Sequence, residues 1–84
     1  MIEAETIEAR ICEAVGHVSH IAIRDLTGTK DHWEAVIVSS AFSGKNRIEQ
    51  HQMVYAALGE LMSGPIHALA LQTYTPESWA EAKG

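Results

Sequence analysis

Histidine is where the chemistry of this chain concentrates. Five histidines stand among 84 residues, and imidazole serves both as an acid–base group near neutral pH and as the commonest metal ligand. Cysteine occurs once, as Cys12, so no disulfide can form within the chain, and a lone thiol fits a reducing compartment. No Ser-His-Asp or Cys-His arrangement, phosphate-cradling glycine loop or pair of acid–base carboxylates stands out. A chain of this length also rarely encloses a deep substrate pocket. The reading is therefore a protein that is not an enzyme. Among the histidines, His32 and His67 matter most, because the elements around them bring them together.

Those elements follow from periodicity. Over residues 3–15, Ala4, Ile7, Ile11 and Ala14 or Val15 recur at helical steps, Glu3, Glu5 and Glu8 load the early turns, and Gly16 supplies a stop. From His17 to Leu26 the period becomes two, with Ile21 and Ile23 on one face and His20, Ala22 and Arg24 on the other. A turn at residues 27–31 leads to a second strand from Trp33 to Ser39. Its consecutive Val36, Ile37 and Val38 are apolar on both faces, the mark of a central strand. The two strands form an antiparallel hairpin. After an irregular connection, a second helix is expected from about Arg47 to Met62, presenting Ile48, His51, Tyr55, Leu58 and Met62 along one face, with Val54 and Leu61 widening it. Ser63-Gly64-Pro65 would end it. A third strand spans Ile66 to Tyr74, with Leu69 and Leu71 facing the core. Thr75-Pro76-Glu77 then opens a short terminal helix through Trp79.

The order αββαβα predicts an α/β (α+β) fold with a mixed three-stranded sheet in one domain, residues 1–84. The second strand, second helix and third strand make a crossover unit with parallel strands. His32 precedes the second strand and His67 opens the third, so sequence order alone carries both to one rim of the sheet. If the strands are neighbours, about 4.8 Å apart, the imidazoles can share a ligand. If the first strand intervenes, they cannot easily do so. His67 acting as a metal ligand and His67 merely bonding a loop both remain open at this level. His17 and His20 fall at the opposite end of the hairpin from His32. His51 reads as a packing residue, Cys12 as a small sheltered hydrophobe, and Trp33, Tyr74 and Trp79 as covering the sheet edges and the final helix.

Bulk properties bound the function. Six basic residues against eleven acidic ones give a formal charge of −5, which disfavours general phosphate binding. Lys45 and Arg47 sit beside Gly44 at a helix start, where cations oppose the helix dipole. They are either solvated charges or contacts for an anionic partner such as DNA, with backbone amides there able to meet phosphate. The acidic beginning of the chain lacks the pattern of a signal peptide, and no apolar run approaches the roughly 20 residues of a membrane span. The expectation is a cytoplasmic protein without a membrane partner, a monomer or weak homodimer on its own.

Four segments carry a resemblance. Ser39-Ser40-Ala41-Phe42-Ser43-Gly44-Lys45, Arg47-Ile48-Glu49-Gln50-His51-Gln52-Met53-Val54-Tyr55, Ile66-His67-Ala68-Leu69-Ala70-Leu71 and Thr75-Pro76-Glu77-Ser78-Trp79 together resemble the signature of the BolA family, in order and spacing, over about Leu26 to Trp79. The resemblance implies a fold similar to the class II KH domain. It also implies partnership with a monothiol glutaredoxin and a [2Fe–2S] cluster held at the shared interface. In that arrangement the glutaredoxin cysteine and a glutathione thiolate supply sulfur, while this chain supplies His67 and, from the hairpin loop, His32. Histidine ligation of one iron, as in Rieske centres, raises the reduction potential. Some members are described as transcription regulators. The glycine-flanked nucleic-acid loop of KH-like folds corresponds here to residues 42–47, with one glycine, Gly44, in place of two.

Overall fold

The computed structural model describes residues 2–83; Met1 and Gly84, the outermost residues of the expected 1–84 domain, lie outside the described residues. Helix α1 (Ala4–Val15) is followed by strands β1 (Val18–Asp25) and β2 (His32–Ser39). A 3₁₀ turn at Ser40–Phe42, helix α2 (Arg47–Leu58), a second 3₁₀ segment at Gly59–Ser63, strand β3 (Ala68–Tyr74) and helix α3 (Pro76–Lys83) complete the order. The αββαβα succession and the mixed sheet are as the periodicity predicts.

The sheet runs β1-β2-β3. β1 pairs antiparallel with β2, and β2 pairs parallel with β3 in a register that sets His32 opposite Ala68. The central place of β2 follows from its residues. Ile37 belongs to the main core, whereas its neighbour Val38 is equally buried outside that cluster. Only a strand with both faces covered accommodates such a pair. α1 and α2 pack against one face, where Ile7, Ile11, Trp33, Ala35, Ile37, Phe42, Val54, Leu58 and Ile66 form the core. α3 lies against β2 and β3. Its Trp79 stacks on His20 with ring centroids 5.0 Å apart and meets Tyr74 at 5.1 Å. Because His20 shares its side with Ala22 and Arg24, which point away from the core, α3 sits on the other face.

Ser39 ties three elements together. Fully buried at the end of β2, its hydroxyl donates to the Gly16 carbonyl at 2.6 Å and accepts the Ala41 amide at 3.0 Å. It therefore fastens the exit of α1 and the start of the first 3₁₀ turn to the central strand. The first residue of the Ser39–Lys45 segment is thus a structural junction.

Several expectations need correction. α2 stops at Leu58, because Gly59 takes φ +52°, a conformation that glycine adopts without a Cβ penalty; only 3₁₀ structure continues to Ser63. The buried face of α2 is Val54, Ala57 and Leu58. Of the expected face, Leu58 and Val54 are in the core and Leu61 and Met62 pack against it, whereas Ile48 is 70% exposed and Tyr55 41% exposed, so these two point away from the core. Trp33 belongs to the core of the central strand at 2% exposure; it does not cover an edge. Finally, β2 begins at His32 and β3 at Ala68, so the strand starts are displaced from those expected. Ile66, read as strand, instead plugs the core from the preceding connection.

Candidate metal-ligating histidine pair

The site is built by backbone register. β2 and β3 start side by side, and the main chain binds the two starts together. The Asp31 carbonyl accepts the His67 amide at 2.8 Å and the Ala68 amide at 3.2 Å. Across the hairpin the Leu26 amide donates to the His32 carbonyl at 2.8 Å, closing the loop of residues 26–31. That loop is folded around Asp25, whose carboxylate accepts the amides of Thr27, Gly28 and Lys30 at 3.3, 3.0 and 3.1 Å. Gly28 and Lys30 take positive φ, and Lys30 reaches Glu3 ahead of α1 at 2.8 Å. The hairpin loop is thereby fixed from inside and from the neighbouring helix.

On this frame the rings of His32 and His67 meet edge to face with centroids 6.0 Å apart. Both are accessible, with side chains 45% and 67% exposed. Asp31 lies between them. Its Oδ1 is 2.9 Å from His32 Nδ1 and its Oδ2 is 3.2 Å from His67 Nδ1. The Thr29 hydroxyl, and next the His32 ring, hold the Asp31 carboxyl far below the usual carboxylate range. Sequence reading put the two imidazoles at one rim, but it passed over Asp31 as part of a turn. The available signal was its position immediately before His32.

Two nitrogen donors are an incomplete ligand set. Among the described residues, no group of three or more His, Cys, Asp or Glu side chains is placed to hold a metal ion. Cys12 cannot contribute. α1 begins beside the hairpin loop, where Glu3 meets Lys30, and its other end is fastened to the far end of β2 through Gly16. Burial, together with nearby Glu8, pushes the Cys12 thiol upward, against thiolate formation. The donor chemistry itself fits one iron of a [2Fe–2S] centre with two imidazole ligands. On one tetrahedral ion, with metal–nitrogen bonds near ~2 Å, two imidazole centroids stand about 5 Å apart. The observed 6.0 Å lies within roughly an ångström of that spacing.

The other candidate residues lie elsewhere. β2 and β3 both start at the histidine rim, so the connection after β2 falls at the far end of the sheet and carries Gly44, Lys45 and Arg47 with it. Gly44 has φ +79°, and Lys45 and Arg47 are exposed. The α2 start is closed by its own side chains. Asn46 accepts the Glu49 amide at 2.8 Å, and Glu49 accepts the Asn46 amide at 2.9 Å, a reciprocal capping box. Arg47 and His51 join Leu71, Gln72, Thr73 and Tyr74 around an open groove of about 320 Å³. Burial, then the Arg47 charge, lowers the basicity of His51. His20 is stacked on Trp79 at that same far end, apart from the histidine pair as expected.

Comparison with known proteins decides the family. The model of the family described as BolA-like protein matches residues 7–78. The chain belongs to the BolA family. The match takes in most of α1, more than the four segments that carried the resemblance. Within the BolA family the chain is 44% identical over 54 residues to bovine BolA-like protein 1, a match covering 64% of this chain and 40% of that protein. It is 42% identical over 52 residues to the Escherichia coli protein named DNA-binding transcriptional regulator BolA, covering 62% of this chain and 50% of that one. The chain thus spans about half or less of the length of these curated relatives. Among solved structures, a BolA homologue from Coxiella burnetii superposes with a TM-score of 0.81 at 32% identity, covering 95% of this chain and 99% of that one. The α+β architecture is that of the BolA family.

Proposed function

We propose that this BolA-family chain is a non-enzymatic adaptor. It offers His67 and His32 to a [2Fe–2S] cluster whose sulfur ligands come from a monothiol glutaredoxin and glutathione, in cluster trafficking or iron homeostasis. The observation that carries this reading is the pair of accessible imidazoles, 6.0 Å apart, at the paired starts of two parallel strands. The thiol chemistry supports it from the other side, since the one cysteine is remote from the rim and biased towards its protonated form. A cluster bound here needs sulfur from another molecule. When bound, such a cluster supplies one-electron chemistry and a transferable iron–sulfur unit.

The test is spectroscopic. Wild-type protein mixed with cluster-loaded monothiol glutaredoxin is expected to change the visible spectrum, and His67→Ala to abolish that change, with His32→Ala weakening it. A spectrum unaffected by wild type, or a full response from His67→Ala, refutes the proposal.

A second reading, direct DNA binding, draws on the printed name of the Escherichia coli relative and on exposed Lys45 and Arg47. The formal charge of −5 and the self-capped start of α2 oppose it, since part of the amide set that would meet a phosphate is already bonded. A gel-shift titration across salt discriminates. Site-specific binding survives physiological ionic strength, and incidental attraction collapses.

A further inference from the structure

We propose that Asp31 is the positioning residue of the histidine pair: its carboxylate, hydrogen-bonded to His32 Nδ1 and close to His67 Nδ1, biases both imidazoles to the tautomer that leaves Nε2 free for a metal. A neutral imidazole carries a single N–H, and a carboxylate only accepts. His32 Nδ1, hydrogen-bonded to Oδ1, is therefore the protonated nitrogen of its ring, and its outer nitrogen keeps the lone pair. His67 Nδ1 stands 3.2 Å from Oδ2 without hydrogen-bond alignment, where the carboxylate charge still favours an N–H over a lone pair. Each ring has its own oxygen, Oδ1 for His32 at 2.9 Å and Oδ2 for His67 at 3.2 Å.

Asp31 is itself held by its side chain and by its main chain. The Thr29 hydroxyl donates to Oδ1, and the Thr27 hydroxyl donates to the Thr29 oxygen behind it at 2.6 Å. Its carbonyl holds the start of β3 through the amides of His67 and Ala68. The nearest loop cation, Lys30, is engaged by Glu3 instead and leaves the carboxylate to the rings. The same residue thus sets both the spacing of the two histidines, through its backbone, and their orientation, through its side chain. A carboxylate behind a ligating histidine fixes ring orientation and raises donor strength, and losing it typically weakens metal binding roughly 10- to 100-fold.

The assignment rests on reading His32 and His67 as metal ligands, but the tautomer belongs to the metal-free chain and is read there. Long-range proton–nitrogen NMR of ¹⁵N-histidine protein, at a pH where both rings are neutral, is expected to show Nδ1–H at His32 and His67. In Asp31→Asn the amide offers one oxygen, so at least one ring redistributes towards Nε2–H; in Asp31→Ala both do. The Asp31 carbonyl remains in either variant, so β3 keeps its backbone anchor, and the isosteric Asn variant guards against loss of fold in the Ala one. Zn²⁺ alone is expected to bind Asp31→Asn roughly 10- to 100-fold more weakly than wild type. Nε2–H rings in wild type, tautomers unmoved by Asp31→Ala, or equal Zn²⁺ affinity in wild type and Asp31→Asn, none in both included, each overturn the assignment. A tautomer shift and Zn²⁺ loss without any glutaredoxin-dependent spectrum would retain Asp31 and sink the proposed function. A normal cluster spectrum with unmoved tautomers would do the reverse.

Discussion

Replacing Ser39 by alanine removes a single hydroxyl, yet three elements depend on it. Its oxygen donates to the Gly16 carbonyl at 2.6 Å and accepts the Ala41 amide at 3.0 Å, and the residue is fully buried. In the Ala variant both backbone groups, on half-buried Gly16 and Ala41, lose their partner. An abandoned buried polar group costs about 1–3 kcal/mol. With two groups affected and part of the loss relieved by local relaxation, the expected destabilisation is about 2–3 kcal/mol. For a domain of this size each kcal/mol lowers the midpoint by about 4–8 °C, so thermal unfolding should move down by roughly 10–20 °C. Urea denaturation followed by circular dichroism measures the free energy directly, with an unchanged m-value showing that the native surface is conserved. Ser40→Ala, one residue on and exposed, is the control and should stay within about 0.5 kcal/mol of wild type. A Ser39→Ala loss below about 0.5 kcal/mol would refute the junction argument.

Three further outcomes are expected. Trp33 is buried and its indole N–H has no partner among the described residues. Trp33→Phe opens a void of roughly 35 Å³, costing about 1 kcal/mol, and forfeits about another 1 kcal/mol of apolar transfer. It also abolishes an unpartnered N–H worth about 1–3 kcal/mol, so the net change should lie within about 1 kcal/mol of zero; a loss above about 2 kcal/mol in urea unfolding would mean that a water satisfies the group. His51 binds its proton more weakly in the folded chain than its ordinary value of 6.5 implies, because of burial and Arg47. The unfolded chain therefore takes up the proton first as pH falls, and stability rises with pH through the window just below 6.5; His51→Gln should flatten that slope in midpoint-against-pH measurements, and an unaltered slope would contradict it. Gly44 has φ +79°, and a Cβ added there would meet nothing within 4 Å. Gly44→Ala should therefore cost about 1–2 kcal/mol through backbone conformation alone, while Gly44→Asn, which tolerates that conformation, should cost less in the same unfolding assay.

Parts of this architecture were legible because they rest on strong local signals. The β-branched run Val36-Ile37-Val38 announced a strand covered on both faces. A central β2 with β3 parallel beside it brings His32 and His67 to one rim before any side chain is considered. Thr75-Pro76-Glu77 delivered the helix start that these types suggest, with the Ser78 amide donating to the Thr75 hydroxyl at 3.1 Å; the Thr75 amide in turn donates to the Ser78 hydroxyl at 2.9 Å. The face of α2 was legible at Val54 and Leu58 but misread at Ile48 and Tyr55, which extend the apolar stripe in sequence while the helix turns Ala57 inward instead. On the sheet side, polar Gln50 bonds Thr73 of β3 at 2.7 Å, which no hydrophobic count can register. Asp31 escaped for a related reason: a carboxylate in a turn looks generic until the register of two strands, settled by residues far away in sequence, sets both histidines against it.

The backbone clamp between Asp31 and the start of β3 divides the chain into places where its length matters and places where it does not. At Ser63 and Gly64 the connection is exposed and has only to return Ile66 to the core, so insertions there would leave the facing imidazoles undisturbed. One residue added between His67 and Ala68 would part the two amides that the Asp31 carbonyl holds together, and with β3 kept in register it would set the His67 ring to the opposite side of the sheet. Chain length is thus tolerant along the crossover and strict where the main chain of Asp31 holds the start of β3.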